Sequence, residues 1–168
     1  GARLVEKRAA NAEAGTRFEW SARGLLAAVI LPDGTRVENV YDTYARRVAK
    51  RVVPRRGPAR VTRFVWCDDA LVHEVDEPQV PGADTAVAFR TYVPRGESDL
   101  PLAHRDTGRG AESGWVHYVL GHGERPELLV AGDGRLLANL EATVWGRVAA
   151  GEPARADTPL RYPGQYHD

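Results

Sequence analysis

The stretch that most constrains this chain is Leu25 to Val53, LLAAVILPDGTRVENVYDTYARRVAKRVV. It reads as two apolar strands folded back on each other through a tight turn, with a third strand after them. Asp33-Gly34 has the composition of a two-residue type I′ loop, because both central positions need positive φ and these residues tolerate it. Such a turn sets Pro32 opposite Thr35, Ile30 opposite Val37, Ala28 opposite Asn39 and Leu26 opposite Tyr41. Leu26, Ile30, Val37 and Tyr41 then share an oily face, with Val29, Leu31, Arg36 and Glu38 on a mixed one. This register predicts that Leu26, Ile30, Val37, Val48 and Val52 are buried and that Glu38 and Arg55 are exposed. A helix over Gly24 to Leu31 is the weaker reading, since a stretch this short closed by Pro-Asp-Gly leaves too little room for it.

The rest of the chain repeats the theme. Thr16 to Trp20, Arg47 to Val53, Arg60 to Trp66, Leu71 to Val75 and Thr85 to Val93 alternate as strands, and Arg3 to Arg8 is a shorter one. Trp115 to Leu120, Leu128 to Val130 and Arg135 to Leu140 resume the pattern, with Asp133-Gly134 as a second hairpin signal. Pro94 to Ser113 reads as a long Gly/Pro-rich loop holding at most a short strand at Leu102, and Arg105 to Gly114 as its disordered part. Val144 to Val148 closes the structured portion, Ala149 to Thr158 is a polar connector, and PLRYPGQYHD is the tail. Three regions follow: a hairpin array over 1–78, a strand with a flexible loop over 79–114, and a second hairpin region with tail over 115–168.

Composition narrows the function classes. A chain of 168 residues is long enough for a real core, and 23 basic residues against 23 acidic ones remove any global case for nucleic acid or membrane binding. No apolar run reaches the length of a membrane span. The chain does not begin with methionine and contains none, so we expect a piece of something larger or processed. The single cysteine, Cys67, rules out an internal disulfide and multi-cysteine zinc sites. Cys67 and His73 flank the Asp68-Asp69 turn, yet a lone cysteine beside an aromatic-rich strand reads as a small buried hydrophobe. His104, His117, His122 and His167 have no recognised ligand spacing, and Asp33 and Asp133 are explained as turn residues. No catalytic residue, cofactor or metal site is assigned. Arg46, Arg47, Lys50, Arg51, Arg55, Arg56, Arg60 and Arg63 form a basic block, with Asp68, Asp69, Glu74, Asp76 and Glu77 following. Pairing across neighbouring strands accounts for the two blocks better than nucleic-acid binding, because alternate strand positions point to opposite faces.

Tyr41-Asp42-Thr43-Tyr44-Ala45-Arg46 resembles the YD repeat of Rhs-family proteins, Tyr-Asp-x-x-Gly-Arg, with Ala45 in the glycine position. Trp20-Ser21 and Gly24 resemble the preceding copy. Thr62 to Val75 resembles the strand-turn-strand segment around Trp-x-x-Asp, and His117 to Val148 the stretch that ends in Tyr-Asp-x-Trp-Gly. Leu160 to Asp168 resembles the Arg-Phe-x-Gly-Gln-Tyr-x-Asp that opens the end of the Rhs core, through Gly164, Gln165 and Tyr166. Departures occur at Gly121, Gly123, Glu124 and Arg125, at Ala138 in a tryptophan position, and at Ala142-Thr143 in place of Tyr-Asp before Trp145-Gly146.

The resemblance implies an all-β fold: an array of short antiparallel strands and hairpins in a YD-repeat-like curved sheet, part of an Rhs-type shell. It implies a structural motif at Gly24, Asp33, Gly34, Tyr41, Asp42, Asp133, Gly134, Trp145, Gly146, Gly164, Gln165 and Tyr166. It further implies a non-enzymatic wall section that encloses a toxic C-terminal domain until delivery, upstream of the self-cleavage motif and the toxin. The expected partners are other segments of an Rhs-type polypeptide or the enclosed toxin domain. An open array needs its end strands covered. A second polypeptide or self-association through the edge strands is therefore expected, unless the tail folds back onto the sheet. The alternative is a carbohydrate- or protein-binding module using Trp20, Trp66, Tyr92, Trp115 or Trp145.

Overall fold

The computed structural model describes residues 3–8, 14–77, 87–96, 98–108, 114–143 and 148–167. Among them the strands are β1 (Glu6–Lys7), β2 (Thr16–Trp20), β3 (Leu26–Ile30), β4 (Arg36–Tyr41), β5 (Arg47–Val53), β6 (Arg60–Cys67) and β7 (Ala70–Glu77). They continue with β8 (Ala88–Arg95), β9 (Ser98–Thr107), β10 (Val116–Leu120), β11 (Pro126–Ala131), β12 (Leu136–Ala142) and β13 (Val148–Ala154). Each strand is hydrogen-bonded to its neighbours in the chain, so sheet order equals sequence order from β1 to β13. The fold is all-β and antiparallel, as short hairpin connections require. Two compact units are present: Gly1–Phe64 with Val75–Val87, and Val65–Glu74 with Ala88–Asp168.

In the first unit the central hairpin exists, but its turn and register differ from the sequence expectation. Leu31 N–H donates to the Thr35 carbonyl at 2.9 Å, and Gly34 N–H donates to the Leu31 carbonyl at 2.9 Å. Gly34 has φ +85°, whereas Asp33 is not among the positive-φ residues. The loop is therefore the three residues Pro32-Asp33-Gly34, a type I turn followed by a left-handed glycine. Pro32 explains the shift, because its locked φ suits the first central position of a type I turn. Asp33 acts through its side chain, accepting the Thr35 N–H at 2.8 Å.

The observed partners are Ala28↔Glu38, Val29↔Val37 and Ile30↔Arg36, a slip of one residue that changes which side chains share a face. Ala28, only 1% exposed, is the buried position of β3. Leu26, Ile30, Val37, Val48 and Val52 are half-buried instead of buried. Glu38 is half-buried too, held by Arg36 at 3.0 Å and Arg51 at 3.2 Å, while Arg55 is exposed as expected.

The same five-residue closure recurs at 21–25, 42–46, 121–125 and 131–135. In each, the first N–H donates to the fifth carbonyl and the fourth N–H to the first carbonyl, at 2.9–3.2 Å. The fourth residue has positive φ every time: Gly24, Gly34, Ala45, Glu124 and Gly134. An L-residue in the left-handed region is strained by roughly 1–2 kcal/mol, partly offset by the chain entropy that glycine loses on folding. Ala45→Gly should therefore stabilise the chain by about 0.5–1 kcal/mol. Gly34→Val should destabilise it by roughly 1–3 kcal/mol, a β-branched residue being poorly tolerated at this φ. Thermal unfolding of the two variants checks the shared turn. Melting temperatures that move in the same direction would contradict it.

The second unit departs from expectation in two places. The anticipated loop after Pro94 contains the ten-residue strand β9, paired with β8 through Phe89↔Thr107, Arg90↔Asp106, Tyr92↔His104 and Val93↔Ala103. Arg105, Asp106 and Thr107 of the proposed disordered piece lie inside this strand, and its residues 109–113 fall outside the described residues. The supposed polar connector after Ala149 is largely β13, paired with β12 through Leu140↔Ala150 and Ala142↔Val148. In both cases a neighbouring strand supplies backbone partners, and this overrides a turn-rich composition.

Val116, Leu129, Leu137, Ala138 and Leu140 form one buried cluster of this unit. Tyr92, Leu100 and Leu160 form another, with Leu71, Tyr118, Leu120 and Tyr166 packed against it. Residues 155–167 fold back over this face as a small hairpin: Leu160 bridges Tyr166, and His167 N–H donates to the Pro159 carbonyl at 2.8 Å. The tail thus buries Leu160 within its own unit, the fold-back that was the alternative to cover by another chain.

Candidate functional site

The Tyr-Asp motif is a turn lock. Asp42 Oδ1 accepts the backbone N–H groups of Tyr44 and Arg46, each at 2.9 Å, and Oδ2 accepts Arg46 Nε at 2.8 Å. Partial desolvation pushes the Asp42 carboxyl up, but the hydrogen bonds and charge of Arg46 outweigh it and hold the group below its ordinary value. The Tyr41 hydroxyl donates to the Leu26 carbonyl at 3.1 Å, tying β4 to β3. Arg23, in the preceding turn, donates to the carbonyls of Asp42 at 2.9 Å and Thr43 at 2.8 Å. The aspartate closes its own turn, its arginine neutralises it, and another arginine ties one turn to the next.

Asp133 and Gly164 also sit in turns. Arg135 N–H donates to Asp133 Oδ1 at 2.9 Å, as Thr35 does to Asp33. Gly164 has φ +71° in the tail turn, where Gln165 N–H donates to the Tyr162 carbonyl at 2.8 Å. Tyr166 packs against the Leu160 cluster. Trp145 and Gly146 lie outside the described residues.

Sequence reasoning missed a row of buried polar groups in the second unit. Strand alternation places Arg90 and Tyr92 on one face of β8, with their cross-strand partners Asp106 and His104 on the same face of β9. Arg90 makes a two-pronged contact with Asp106, Nε to Oδ1 and Nη2 to Oδ2 at 2.7 Å each, and Nη2 also reaches Asp157 Oδ1 at 2.8 Å. Burial disfavours the Arg90 charge, but hydrogen bonding to Asp106 overcomes this and its pKa is raised. The Tyr92 hydroxyl donates to the buried Glu74 at 2.5 Å, and burial raises the Tyr92 phenol pKa, with Glu74 adding to the effect. His104 Nδ1 lies 2.8 Å from the Tyr118 hydroxyl, which lies 3.0 Å from Thr158 Oγ1 in the tail. Burial likewise raises the Tyr118 phenol pKa. Beside the row is a cavity of about 660 Å³, lined among others by Glu74, Arg90, Asp106, Asp157, Thr158 and Arg161. The sequence signal was there in the alternation Arg90-x-Tyr92 and His104-x-Asp106, but it gains meaning only once β9 is known to pair with β8.

These groups are tied to one another and to the tail, and their arrangement is structural. Cys67 is exposed, which corrects its reading as a buried hydrophobe, and His73 Nδ1 is 3.1 Å from Thr91 Oγ1. Among the described residues no group of three or more His, Cys, Asp or Glu side chains is placed to hold a metal ion. Tyr92, offered above as a binding aromatic, is buried; Trp20 is exposed at its edge, and its Nε1–H donates to the Leu4 carbonyl at 2.8 Å. The basic and acidic blocks pair in part across strands, as in Arg63 with Glu77. Other basic residues find different partners: Arg51 takes Glu38, and the Arg47 guanidinium lies 4.7 Å from the centre of the Phe64 ring.

No family model matches the chain. Among curated proteins it is 27% identical over 153 residues to the probable deoxyribonuclease RhsB of Dickeya dadantii (strain 3937), covering 90% of this chain and 10% of that protein. It is also 27% identical over 153 residues to the probable deoxyribonuclease RhsA of the same strain, with the same coverage. The chain therefore spans about a tenth of the length of these relatives. Among solved structures the crystal structure of TcdB2-TccC3-Cdc42 matches with a TM-score of 0.69 at 18% identity, over 91% of this chain and 8% of that one. That of TcdB2-TccC3-TEV matches at 0.68 and 18%, over 91% and 8%. TcdB2-TccC3 without its hypervariable C-terminal region matches at 0.65 and 19%, over 88% and 7%.

Proposed function

We propose, from the premise that this chain is an Rhs/YD-repeat protein by sequence and fold, that it serves as a wall section of an Rhs-type shell enclosing a toxic C-terminal segment until delivery. The observation that carries the proposal is the recurring five-residue turn, locked at 42–46 by Asp42 and Arg46 and tied to its neighbour by Arg23. A sheet built by repeating one hairpin unit extends by adding strands in chain order, and each added strand covers the edge of the one before. Arg90, Tyr92, His104 and Tyr118 of the second unit bond to Asp106, Glu74 and the tail residues Asp157 and Thr158, which suits a role in holding a wall together. Partners on this reading are further strands of an Rhs-type polypeptide and the enclosed segment.

The test is affinity purification of the tagged chain from its native host, with mass spectrometry and limited proteolysis of whatever accompanies it. The expected result is a companion polypeptide that resists protease while the sheet is folded and is digested once it is unfolded. A lone monomer that binds a glycan array through Trp115, 39% exposed beside a groove with Asp133 and Arg135, would overturn the proposal in favour of a stand-alone binding module.

A further inference from the structure

We propose that the cavity of about 660 Å³ lined by the tail and the buried row is a binding site for a monocarboxylate carried on a small apolar group, with Arg161 and Arg155 as its cationic clamp. A space of this size falls within the range of about 300–1,000 Å³ typical of small-molecule sites. All of its lining belongs to the second unit.

The carboxylates of the lining are already engaged. Asp106 gives both oxygens to Arg90, Asp157 accepts from the same arginine at 2.8 Å, and Glu74 accepts the Tyr92 hydroxyl at 2.5 Å. Two arginines of the lining have no acid of their own among the described residues. The Arg155 backbone N–H is anchored to the Leu137 carbonyl at 2.8 Å, but its exposed side chain makes no hydrogen bond or ion pair with a described residue. Arg161 is half-buried, and its Nη1 donates to the carbonyls of Thr158 at 2.5 Å and Leu160 at 2.9 Å. Those two bonds fix the plane of the guanidinium and leave its Nε and Nη2 donors unused. Burial pushes the Arg161 pKa down, and Asp157 opposes this through space without forming an ion pair with it. The uncompensated charge of the cavity is therefore positive, and an anion is the ligand that relieves it.

The surroundings select which anion. The planar fork of a guanidinium matches the two oxygens of a carboxylate. A doubly charged phosphate would meet Glu74, Asp106 and Asp157 in the same space, whereas a monoanion meets less repulsion. Val116, Leu137, Ala156 and Pro159 also line the cavity and offer an apolar wall for the body that carries the carboxylate. Both a free acid and the end of a peptide have this chemistry.

The experiment is a titration of the whole chain followed through its amide resonances, with hexanoate and N-acetyl-leucine as probes. Hexanamide and N-acetyl-leucinamide serve as their uncharged counterparts. At least one of the two acids should shift the amides of Thr158 and Arg161, and its amide counterpart should not. Binding of hexanoate alone assigns a free acid, and binding of N-acetyl-leucine alone assigns a peptide end. Affinity should fall as salt is raised, as for a charge-led contact near the surface. Arg161→Gln and Arg155→Gln should each weaken binding by about tenfold or more, the loss expected for a hydrogen bond to a charged group. Arg56→Gln, an exposed change in the first unit, should leave it unaltered. Should Arg161→Gln disturb the tail hairpin, Arg155→Gln decides, because its side chain holds nothing in the folded chain. Amides that bind as tightly as the acids, inorganic phosphate that displaces them at equal concentration, or an Arg155→Gln chain that binds like the parent would overturn the site.

Discussion

Replacing Asp106 by alanine should destabilise the second unit by roughly 3–5 kcal/mol, the range for removing one partner of a buried ion pair. The Arg90 side chain is 4% exposed and that of Asp106 is 9% exposed, so the cation left behind has almost no access to water. Its two-pronged contact disappears, and what remains is Asp157, whose side chain is 87% exposed and is attached to the tail. Asp157 can follow Arg90, so the loss should lie near the lower end of that range. Equilibrium denaturation gives the value directly. The double variant Arg90→Met with Asp106→Ala should recover most of it, because replacing a buried pair by apolar groups is close to neutral. A single variant within about 1 kcal/mol of the parent, the level of a surface pair, would mean that the arginine rearranges into solvent.

Leu129→Ala should cost about 2–5 kcal/mol through lost burial plus the cavity left behind. Leu129 is completely enclosed on β11, with Val116, Leu137, Ala138 and Leu140 around it. These neighbours sit on β10 and β12, where backbone pairing to β11 limits how far they can close the gap, which favours the upper part of the range. Ala138, also fully buried, shows why the tryptophan that the family resemblance places there would not fit. The cluster is already filled by leucines, and overpacking is itself destabilising. Loss of stability below about 1.5 kcal/mol for Leu129→Ala would show that the cluster relaxes freely.

Local signals carried much of this fold. Strict alternation located β2 and β5 to the residue, and Asp-Gly pairs located the hairpins at 32–34 and 132–134. The Tyr-Asp motif pointed to a turn because its work is local: Asp42 bonds backbone groups two and four residues away. What went astray needed knowledge of a neighbour or of a competing residue nearby. The hairpin register depended on Pro32 favouring a type I turn over the type I′ that Asp33-Gly34 suggested, and one residue of slip moved Val37 from Ile30 to Val29. The strands β9 and β13 look like loops in isolation and are strands because β8 and β12 offer them open backbone groups. The buried row was the least legible of all. Arg90, His104, Tyr118 and Thr158 are scattered over the sequence, and arginine and threonine are ordinarily at the surface. Tertiary structure alone decides that they meet, because a hydrogen bond between residues forty positions apart, as between Tyr118 and Thr158, exists only after the tail has come back over the sheet.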